Sequence, residues 1–230
     1  MKCITIRARM LIIGLILLSV CAVFGAKAIP SISIPRALPI YRLPSAEKQI
    51  AFTFDTSYGD KTKDLICVLK KYDVPATFFV TGDFVDRHPQ SVKDISTAGF
   101  DVMNHSNTHP HVTRLNALQI REEILECNRK IKELTGKSPT LFRLPFGDFD
   151  DHVIYTVQEL GMTAVQWDVD SCDWRGLSCE QIKKRVLENT RAGSIVLFSC
   201  GFDSTVEAVS QLIPELIAKG YEFTDLRQLT

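Results

Sequence analysis

Three of the five histidines in the chain lie within seven positions, in the stretch FDVMNHSNTHPHV at residues 100–112. His105 and His109 are four residues apart, so they could share one face of a helical turn or converge on one ion in a tight loop. Taken alone, this HxxxH pattern is a weak signal, but its position directly after a short apolar run favours a metal site. His111 follows Pro110 and is expected to be a solvent or packing residue.

Other chemically active side chains also lie at the ends of apolar runs. Asp55 follows QIAFTF, and Arg143 lies within TLFRL. Three carboxylates, those of Asp168, Asp170 and Asp173, follow MTAVQW. Because active groups in parallel α/β folds lie just past the carboxyl ends of strands, we expect these carboxylates, the arginine and the histidines to converge.

The apolar runs alternate with amphipathic segments, as strands alternate with helices. From Gln49 onward the pattern predicts strands at QIAFTF, ATFFV, FDVMN, TLFRL, MTAVQW, SIVLF and YEF. It predicts helices near residues 60–71, 89–98 and 117–134. Three capping-box patterns mark helix starts: Asn116 with Gln119, Ser178 with Gln181, and Ser204 with Glu207. The alternation indicates a mainly parallel sheet in a small or incomplete α/β barrel of about seven strand-helix units.

The composition is that of one globular domain, with 27 basic and 27 acidic side chains and 45% apolar residues among 230. The first 28 residues hold four of the basic side chains and no acid, which leaves 23 basic against 27 acidic residues in the body. Binding to a phosphate backbone needs a cationic surface. We therefore expect no nucleic-acid partner.

The first 28 residues have the layout of a secretory signal, with a basic head, an apolar run and small residues up to Ala28. We expect an exported protein that is secreted or held at the cell surface. The apolar run is short for a spanning helix, which needs about 20 residues, but an uncleaved membrane tether through residues 10–26 stays open. A lipid anchor at Cys21 is a third alternative, disfavoured by the large Val20 before it.

Prolines at intervals of four or five follow, in AIPSISIPRALPIYRLPSAEK. This spacing resists helix formation and favours an extended tether. The predicted organisation is therefore residues 1–28 as signal peptide or membrane anchor, residues 29–47 as a proline-rich tether, and residues 48–230 as one α/β domain.

Five cysteines remain in the body, and an odd number does not make a disulfide framework. None of them is paired as CxxC for zinc. We expect buried free thiols, and a bridge between Cys172 and Cys179 stays open.

Five short motifs occur in order between Gln49 and Thr230. They are FTFDTSYGD (52–60), HSNTH (105–109), RLPFG (143–147), DSCDW (170–174) and GSIVLFS (193–199). Together they resemble the motifs of the NodB-homology polysaccharide deacetylases, carbohydrate esterase family 4, and are close to those of the sporulation-type deacetylases. The first family motif usually has two adjacent aspartates, and the fifth normally closes with Leu-x-His.

The resemblance implies a distorted (β/α) barrel and a hydrolase that removes N-acetyl groups from a glycan such as peptidoglycan or chitooligosaccharide. It implies a divalent metal, commonly zinc, bound by His105 and His109, which supplies the attacking water. Asp55 would take the proton of that water, and Arg143 would orient and tune Asp55. Asp173 would pair with the histidine that serves as catalytic acid.

The resemblance also implies a set of substrate-binding residues. The backbone N–H of Phe146 would help to hold the oxyanion, and Trp174 would wall the acetyl pocket. The full set is Pro145, Phe146, Gly147, Trp174, Leu197 and Ser199.

Two positions depart from the family pattern. Thr56 stands where the metal-binding aspartate is usual, and a neutral hydroxyl is a poor zinc ligand, so we expect weak metal binding. Some sporulation and muramic-acid deacetylases of the family also lack this aspartate. Ser199 replaces the histidine that protonates the departing amine, and losing such an acid typically costs about 100-fold to 10,000-fold in rate. Asp173 would then bind Ser199 or Arg175 instead.

Two functions of different class are consistent with these departures. The first is a metal-dependent N-deacetylase of cell-wall or chitin-like glycan with slow or altered chemistry. The second is a catalytically silent glycan-binding descendant of the same fold. A third alternative makes Ser199 or Cys200 a nucleophile, but LFSCG lacks the GxSxG elbow and no histidine is obviously available to it.

Overall fold

The structure is a computed structural model that describes residues 37–44, 47–56 and 59–229. The predicted signal or anchor at residues 1–28 lies outside the described residues, as does the first part of the predicted tether. Among the residues that are described, no helix has both the length and the apolar character needed to cross a membrane.

Eight parallel strands form the sheet in the described part of the chain, in the order β5-β4-β3-β2-β1-β7-β6 with β8 paired to β1. The strands are β1 (Gln49–Asp55), β2 (Ala76–Val80), β3 (Asp101–Asn104), β4 (Leu141–Arg143), β5 (Thr163–Val165), β6 (Val169–Asp170), β7 (Ile195–Ser199) and β8 (Glu222–Phe223). The sheet is a curled half-barrel with helices, which confirms the predicted distorted (β/α) barrel.

The helices follow the predicted alternation. They are α1 (Thr62–Lys71), α2 (Gly82–Arg87), α3 (Pro89–Thr97), α4 (Ala117–Thr135), α5 (Asp151–Glu159), α6 (Cys179–Asn189) and α7 (Asp203–Ala218). The capping boxes predicted at the starts of α4 and α6 are both present. The short helix α2 was not predicted; the Thr81 side chain caps it by accepting a hydrogen bond from the Phe84 backbone.

The third predicted capping box, Ser204 with Glu207, is wrong. Helix α7 begins at Asp203, and the residue at its N-cap position is Phe202, which makes no side-chain cap. Asp203 instead forms an ion pair with Lys61 at 2.5 Å. A carboxylate in the first turn is favourable at a helix N-terminus, and this can replace a capping hydroxyl.

The central strand β1 contributes to the apolar core with one face and to the candidate site with the other. Phe52 and Phe54 belong to the apolar core that also includes side chains of α1 and α7. Thr53 and Asp55 point to the opposite side of the sheet, where both are bonded to Arg143 of β4. Successive residues of a strand alternate between its two faces, so this arrangement follows from the sequence of β1.

Residues 37–44 lie along the open edge of the half-barrel, next to β5 and the start of β7. The Ile40 backbone N–H donates to Ala164, and the Ile40 carbonyl accepts from Gln166. The Leu43 backbone N–H donates to Gly193, and the Leu43 side chain is buried. This part of the predicted 29–47 tether is therefore extended but packed against the barrel.

The strand predicted at MTAVQW is shorter in the structure, and one predicted site residue that follows it lies away from the site. Strand β5 ends at Val165, and a separate short strand that was not predicted, β6, begins at Val169. Asp168 accepts hydrogen bonds from the Ser194 hydroxyl at 3.0 Å and the Ile195 backbone at 2.9 Å. Because Ile195 begins β7, Asp168 lies at the amino end of that strand, and the expectation that it joins the site is wrong.

Candidate functional site

A pocket of about 220 Å³ opens where the carboxyl ends of β1, β3 and β7 meet. Parallel strands bring their carboxyl ends to one edge of the sheet, so residues far apart in sequence meet there. The lining residues are Asp55, His105, His109, Phe146, Trp167, Asp170, Trp174, Leu197 and Ser199. The structure thus brings together most of the residues that the sequence pointed to. Trp167 was not among them, although it is the last residue of the apolar run MTAVQW.

The two histidines of HSNTH place their ring nitrogens close together. His105 Nε2 and His109 Nε2 are 3.2 Å apart, and Asp55 Oδ2 lies 3.4 Å from His105 Nε2. Two ligands of one tetrahedral zinc, each about 2.0–2.1 Å from the ion, are separated by about 3.3 Å. No group of three His, Cys, Asp or Glu side chains in the described residues meets the geometry of a metal site. The imidazole pair therefore fits one metal ion, but as a partial ligand set.

Burial favours the neutral form of both imidazoles, which is the charge state that binds metal. His105 Nδ1 lies 2.9 Å from the Arg143 carbonyl oxygen, and donation to that oxygen leaves Nε2 unprotonated toward the pocket. Burial lowers the pKa of His105 to about 3 and that of His109 to about 4. Both rings are therefore neutral at physiological pH.

Arg143 anchors the carboxylate of Asp55 from inside the sheet. Its Nη1 donates to Asp55 Oδ1 at 2.9 Å and to Thr53 Oγ1 at 2.7 Å, and its guanidinium lies 4.0 Å from the centre of the Phe79 ring. The side chain of Arg143 is fully buried. Burial raises the pKa of the Asp55 carboxyl, and the Arg143 cation opposes this rise. Asp55 is thus a buried carboxylate whose ionised form depends on its arginine partner.

Phe146 forms one wall of the pocket in a strained backbone conformation. Its φ is 59°, in the left-handed region that non-glycine residues seldom adopt. Such residues cost about 1–3 kcal/mol and persist where their surroundings hold them. The ring lies between His109, with centroids 4.4 Å apart, and His111, which stacks on it at 4.2 Å. His111 is thus a packing residue, and Phe146 is its partner.

The other residues of RLPFG shape this wall. Pro145 is buried, and Gly147 has a φ of 69° beside Trp167. A Cβ at Gly147 would lie 3.5 Å from the Trp167 ring, so the turn packs closely on that ring. Neither Pro145 nor Gly147 lines the pocket itself.

The opposite wall contains the position where the family histidine is replaced. Asp173 Oδ2 accepts from the Ser199 backbone N–H at 2.8 Å and from the Thr205 hydroxyl at 2.6 Å. Asp173 Oδ1 accepts from the Trp174 backbone N–H at 2.8 Å. Burial raises the pKa of Asp173, and these hydrogen bonds oppose the rise. Both carboxylate oxygens of Asp173 are therefore occupied without an imidazole. The role of Thr205 has no signal in the sequence.

The sequence left two partners open for Asp173, Ser199 and Arg175. In the structure Asp173 is bonded to Ser199, through the Ser199 backbone N–H. Arg175 instead stacks on the Trp174 ring at 4.8 Å, and Trp174 is 42% exposed at the rim of the pocket.

Thr56, at the position of the family's metal-binding aspartate, is fully buried, and its hydroxyl lies 3.4 Å from the Thr81 backbone nitrogen. Thr56 does not line the pocket.

The five body cysteines are all free thiols, so Cys172 and Cys179 are not bridged. Four of them are buried as expected, and Cys67 is exposed. Burial raises the pKa of the Cys200 thiol to about 12. A thiol with this pKa is protonated at neutral pH, which counts against Cys200 as a nucleophile.

Comparison with known proteins gives a consistent result. Residues 42–165 match the family profile described as polysaccharide deacetylase. The chain is 33% identical over 201 residues to a chitooligosaccharide deacetylase of Bradyrhizobium, covering 80% of this chain and 92% of that protein. It is 35% identical over 189 residues to the peptidoglycan-N-acetylmuramic acid deacetylase PdaA of Bacillus subtilis, covering 80% and 72%.

A solved structure with the same fold is that of BA3943 from Bacillus anthracis, described as a CE4 family pseudoenzyme. It has a TM-score of 0.81 and 32% identity, over 84% of this chain and 69% of that one. A mutant of BA3943, at 33% identity and the same TM-score of 0.81, is described as having restored enzymatic activity. The chain therefore belongs to the polysaccharide deacetylases of carbohydrate esterase family 4.

Proposed function

We propose that this protein removes N-acetyl groups from peptidoglycan or chitooligosaccharide, slowly and with a weakly bound divalent metal, of which zinc fits best. The observation that carries the proposal is the position of Asp55, held by Arg143 at 2.9 Å, beside the neutral pair His105 and His109. A base and two imidazole nitrogens are thereby directed into one pocket. The substrates of the chitooligosaccharide and peptidoglycan deacetylases that the chain resembles support the choice of glycan.

In this proposal, His105 and His109 hold the metal, which when bound supplies a water of lowered pKa. Asp55 accepts a proton from the attacking water. Burial raises the pKa of Asp55, which makes its carboxylate a stronger base than that of an ordinary aspartate. Arg143 keeps the carboxylate ionised and correctly directed.

The substrate is held by the two walls of the pocket. The backbone N–H of Phe146 donates to the oxyanion, and its strained conformation is kept by the two histidine rings beside it. Leu197 and Trp174 enclose the acetyl methyl group. Pro145 and Gly147 set the shape of the turn that carries Phe146.

The departing amine lacks a positioned acid. Ser199 lines the pocket at the position of the family histidine, and a serine hydroxyl does not act as an acid near neutral pH. The proton must then come from solvent or from Asp55 after it has been protonated. A rate about 100-fold to 10,000-fold below that of an enzyme with the acid is expected.

A second function is favoured by the bonding of Asp173. Its carboxylate already accepts hydrogen bonds from Ser199, Thr205 and Trp174, so loss of the histidine leaves no unpaired charge on this wall of the pocket. A protein with this pocket could bind N-acetylated glycan without cleaving it. The similarity to a CE4 family pseudoenzyme is consistent with this alternative.

A turnover assay separates the two functions. Protein lacking residues 1–28 is incubated with chitooligosaccharide and with muropeptide, in added zinc or cobalt, and released acetate is measured. Acetate above the level of an Asp55→Asn control supports the deacetylase. Saturable glycan binding with no acetate above that control supports the silent module.

Export is part of the same proposal. The basic head and short apolar run support a secreted or surface-held protein, with residues 10–26 as tether if the signal is not removed. Intact mass of the protein from its native host should show loss of about the first 26 to 28 residues. A soluble cytoplasmic product that retains Met1 would contradict the proposal.

A further inference from the structure

The loop that carries the two histidines is bound by one carboxylate of the neighbouring helix. Glu123 Oε2 accepts from the backbone N–H groups of Asn107 and Thr108, at 2.9 and 2.8 Å. Glu123 Oε1 accepts from the Thr108 hydroxyl at 2.8 Å. One side chain of α4 therefore makes three hydrogen bonds to two of the three residues between His105 and His109.

The backbone of this loop is shaped to receive an anion. Ser106 and His109 have φ values of 66° and 59°, in the left-handed region. Successive N–H groups that point to one side in a turn of this kind form a concave nest for negative charge. Without Glu123, the N–H groups of Asn107 and Thr108 would lose a charged acceptor, and the two unfavourable conformations would lose the contact that offsets them.

The loop is also tied to α4 at its start. Asn104 Oδ1 accepts from the Ser106 backbone at 2.7 Å, and Asn104 Nδ2 donates to the Ile124 carbonyl at 2.8 Å. The Ser106 hydroxyl accepts from the His109 backbone at 2.9 Å. Glu123 and Ile124 are consecutive, so one turn of α4 holds both the entry and the middle of the loop.

We propose that Glu123 is a positioning residue for the metal site, which acts by holding the loop so that the imidazoles of His105 and His109 face one ion. This inference rests on the proposed metal-binding role of the two histidines. Residues that orient metal ligands commonly contribute about 10-fold to 100-fold to metal affinity. Glu123 does so through the backbone of the loop rather than by touching a ligand.

The test compares Glu123→Gln with Glu122→Gln in the full chain, purified in a mild detergent. Both changes remove one negative charge from the same turn of α4, but Glu122 is exposed and no hydrogen bond joins it to the loop in the described residues. Zinc affinity is measured by competition with a chelator, and the visible absorption spectrum of bound cobalt reports ligand geometry. We expect Glu123→Gln to bind zinc at least about tenfold more weakly and to alter the cobalt spectrum, while Glu122→Gln matches the parent.

A general loss of stability must be distinguished from lost positioning. Ile182→Val, in the fully buried face of α6, should lower the melting temperature without touching the loop. It should leave zinc affinity and the cobalt spectrum unchanged. If Glu123→Gln does not fold, Thr108→Val removes one of the three hydrogen bonds and should weaken zinc binding in the same direction.

The metal-free protein gives an independent readout. Amide hydrogen exchange at Asn107 and Thr108 should be faster in Glu123→Gln than in the parent. Faster exchange in a protein whose parent binds no zinc would uphold the positioning of the loop and overturn the metal role of the histidines. Unchanged zinc affinity, cobalt spectrum and exchange in a folded Glu123→Gln would overturn the positioning role itself.

Discussion

Replacing Ser199 by histidine should restore a proton donor to the pocket. Ser199 pairs with Asp55 across β7 and β1, so an imidazole at this position would enter the pocket beside the base. Its second ring nitrogen would be directed toward Asp173, whose carboxylate raises the pKa of a neighbouring imidazole and keeps it protonated. The variant thus tests whether the acid is the only missing part.

The expected gain follows from the present bonding of Asp173. A well-positioned acid contributes about 100-fold to 10,000-fold. Here Asp173 Oδ2 already accepts from the Ser199 backbone and from the Thr205 hydroxyl, so the new imidazole must share that oxygen. We therefore expect the low end, about 100-fold, which corresponds to about 2.7 kcal/mol of transition-state stabilisation. Adding Thr205→Val removes the competing donor and should increase the gain.

The assay is acetate release from chitooligosaccharide with saturating zinc, as a function of pH. Ser199→His should give a bell-shaped profile, because Asp55 must be ionised and the new imidazole protonated. Ser199→Ala is the matched control and should stay at the parental rate. Thr56→Asp added to Ser199→His should help further by strengthening metal binding, and the two effects should be coupled because both act at one site.

One result would refute this reasoning. If neither Ser199→His nor its combination with Thr56→Asp raises the rate, in folded protein with zinc bound, then the groove no longer presents substrate to the base. The silent glycan-binding module would become the better interpretation. The restored activity described for a mutant of the BA3943 pseudoenzyme indicates that regain is attainable in this family.

Three further outcomes are expected. Because the pKa values of His105 and His109 are lowered to about 3 and 4, both rings stay neutral as the pH falls from 7.5 to 5.5. Zinc affinity measured by titration calorimetry should therefore drop less than about tenfold over this range, whereas two ordinary histidines would lose roughly 100-fold. Arg143→Met should lower the free energy of unfolding by about 3–5 kcal/mol in urea denaturation, and a change below about 1 kcal/mol would contradict a buried ion pair. Deleting residues 1–47 should lower the free energy of unfolding by at least about 2 kcal/mol more than deleting residues 1–36, because the longer deletion also exposes the apolar surface that Leu43 covers. Equal melting temperatures of the two shortened proteins would contradict this.

Much of the site could be predicted because its signals are local. The HSNTH spacing places two histidines in one loop, and Asp55 ends an apolar strand whose alternation directs it inward. Parallel strands then bring these ends together without any further information. For the same reason, the alternation of strands and helices was sufficient to predict the barrel.

The features of the site that the sequence did not predict depend on contacts between residues far apart in the chain, or on where a strand begins and ends. Asp168 was misplaced because the strand in MTAVQW ends at Val165, and a separate two-residue strand, which the sequence did not predict, begins just after Asp168. Thr205 lies 32 residues beyond Asp173 and meets it only through the packing of α7. His111 stacks on Phe146, whose backbone is in the left-handed region. That conformation could not be predicted from the sequence, because non-glycine residues seldom adopt it.

Arg143 reaches from β4 to β1, past the two strands that lie between them, and so joins the two sides of the curled sheet through its interior. A lineage that lost deacetylation would still keep this arginine and Asp55, because removing either one leaves a buried charge without its partner. The presence of this pair in a relative would therefore reflect selection for folding as much as for chemistry. Position 199, where the family histidine is replaced, is therefore a better marker for sorting active members of the family from silent ones.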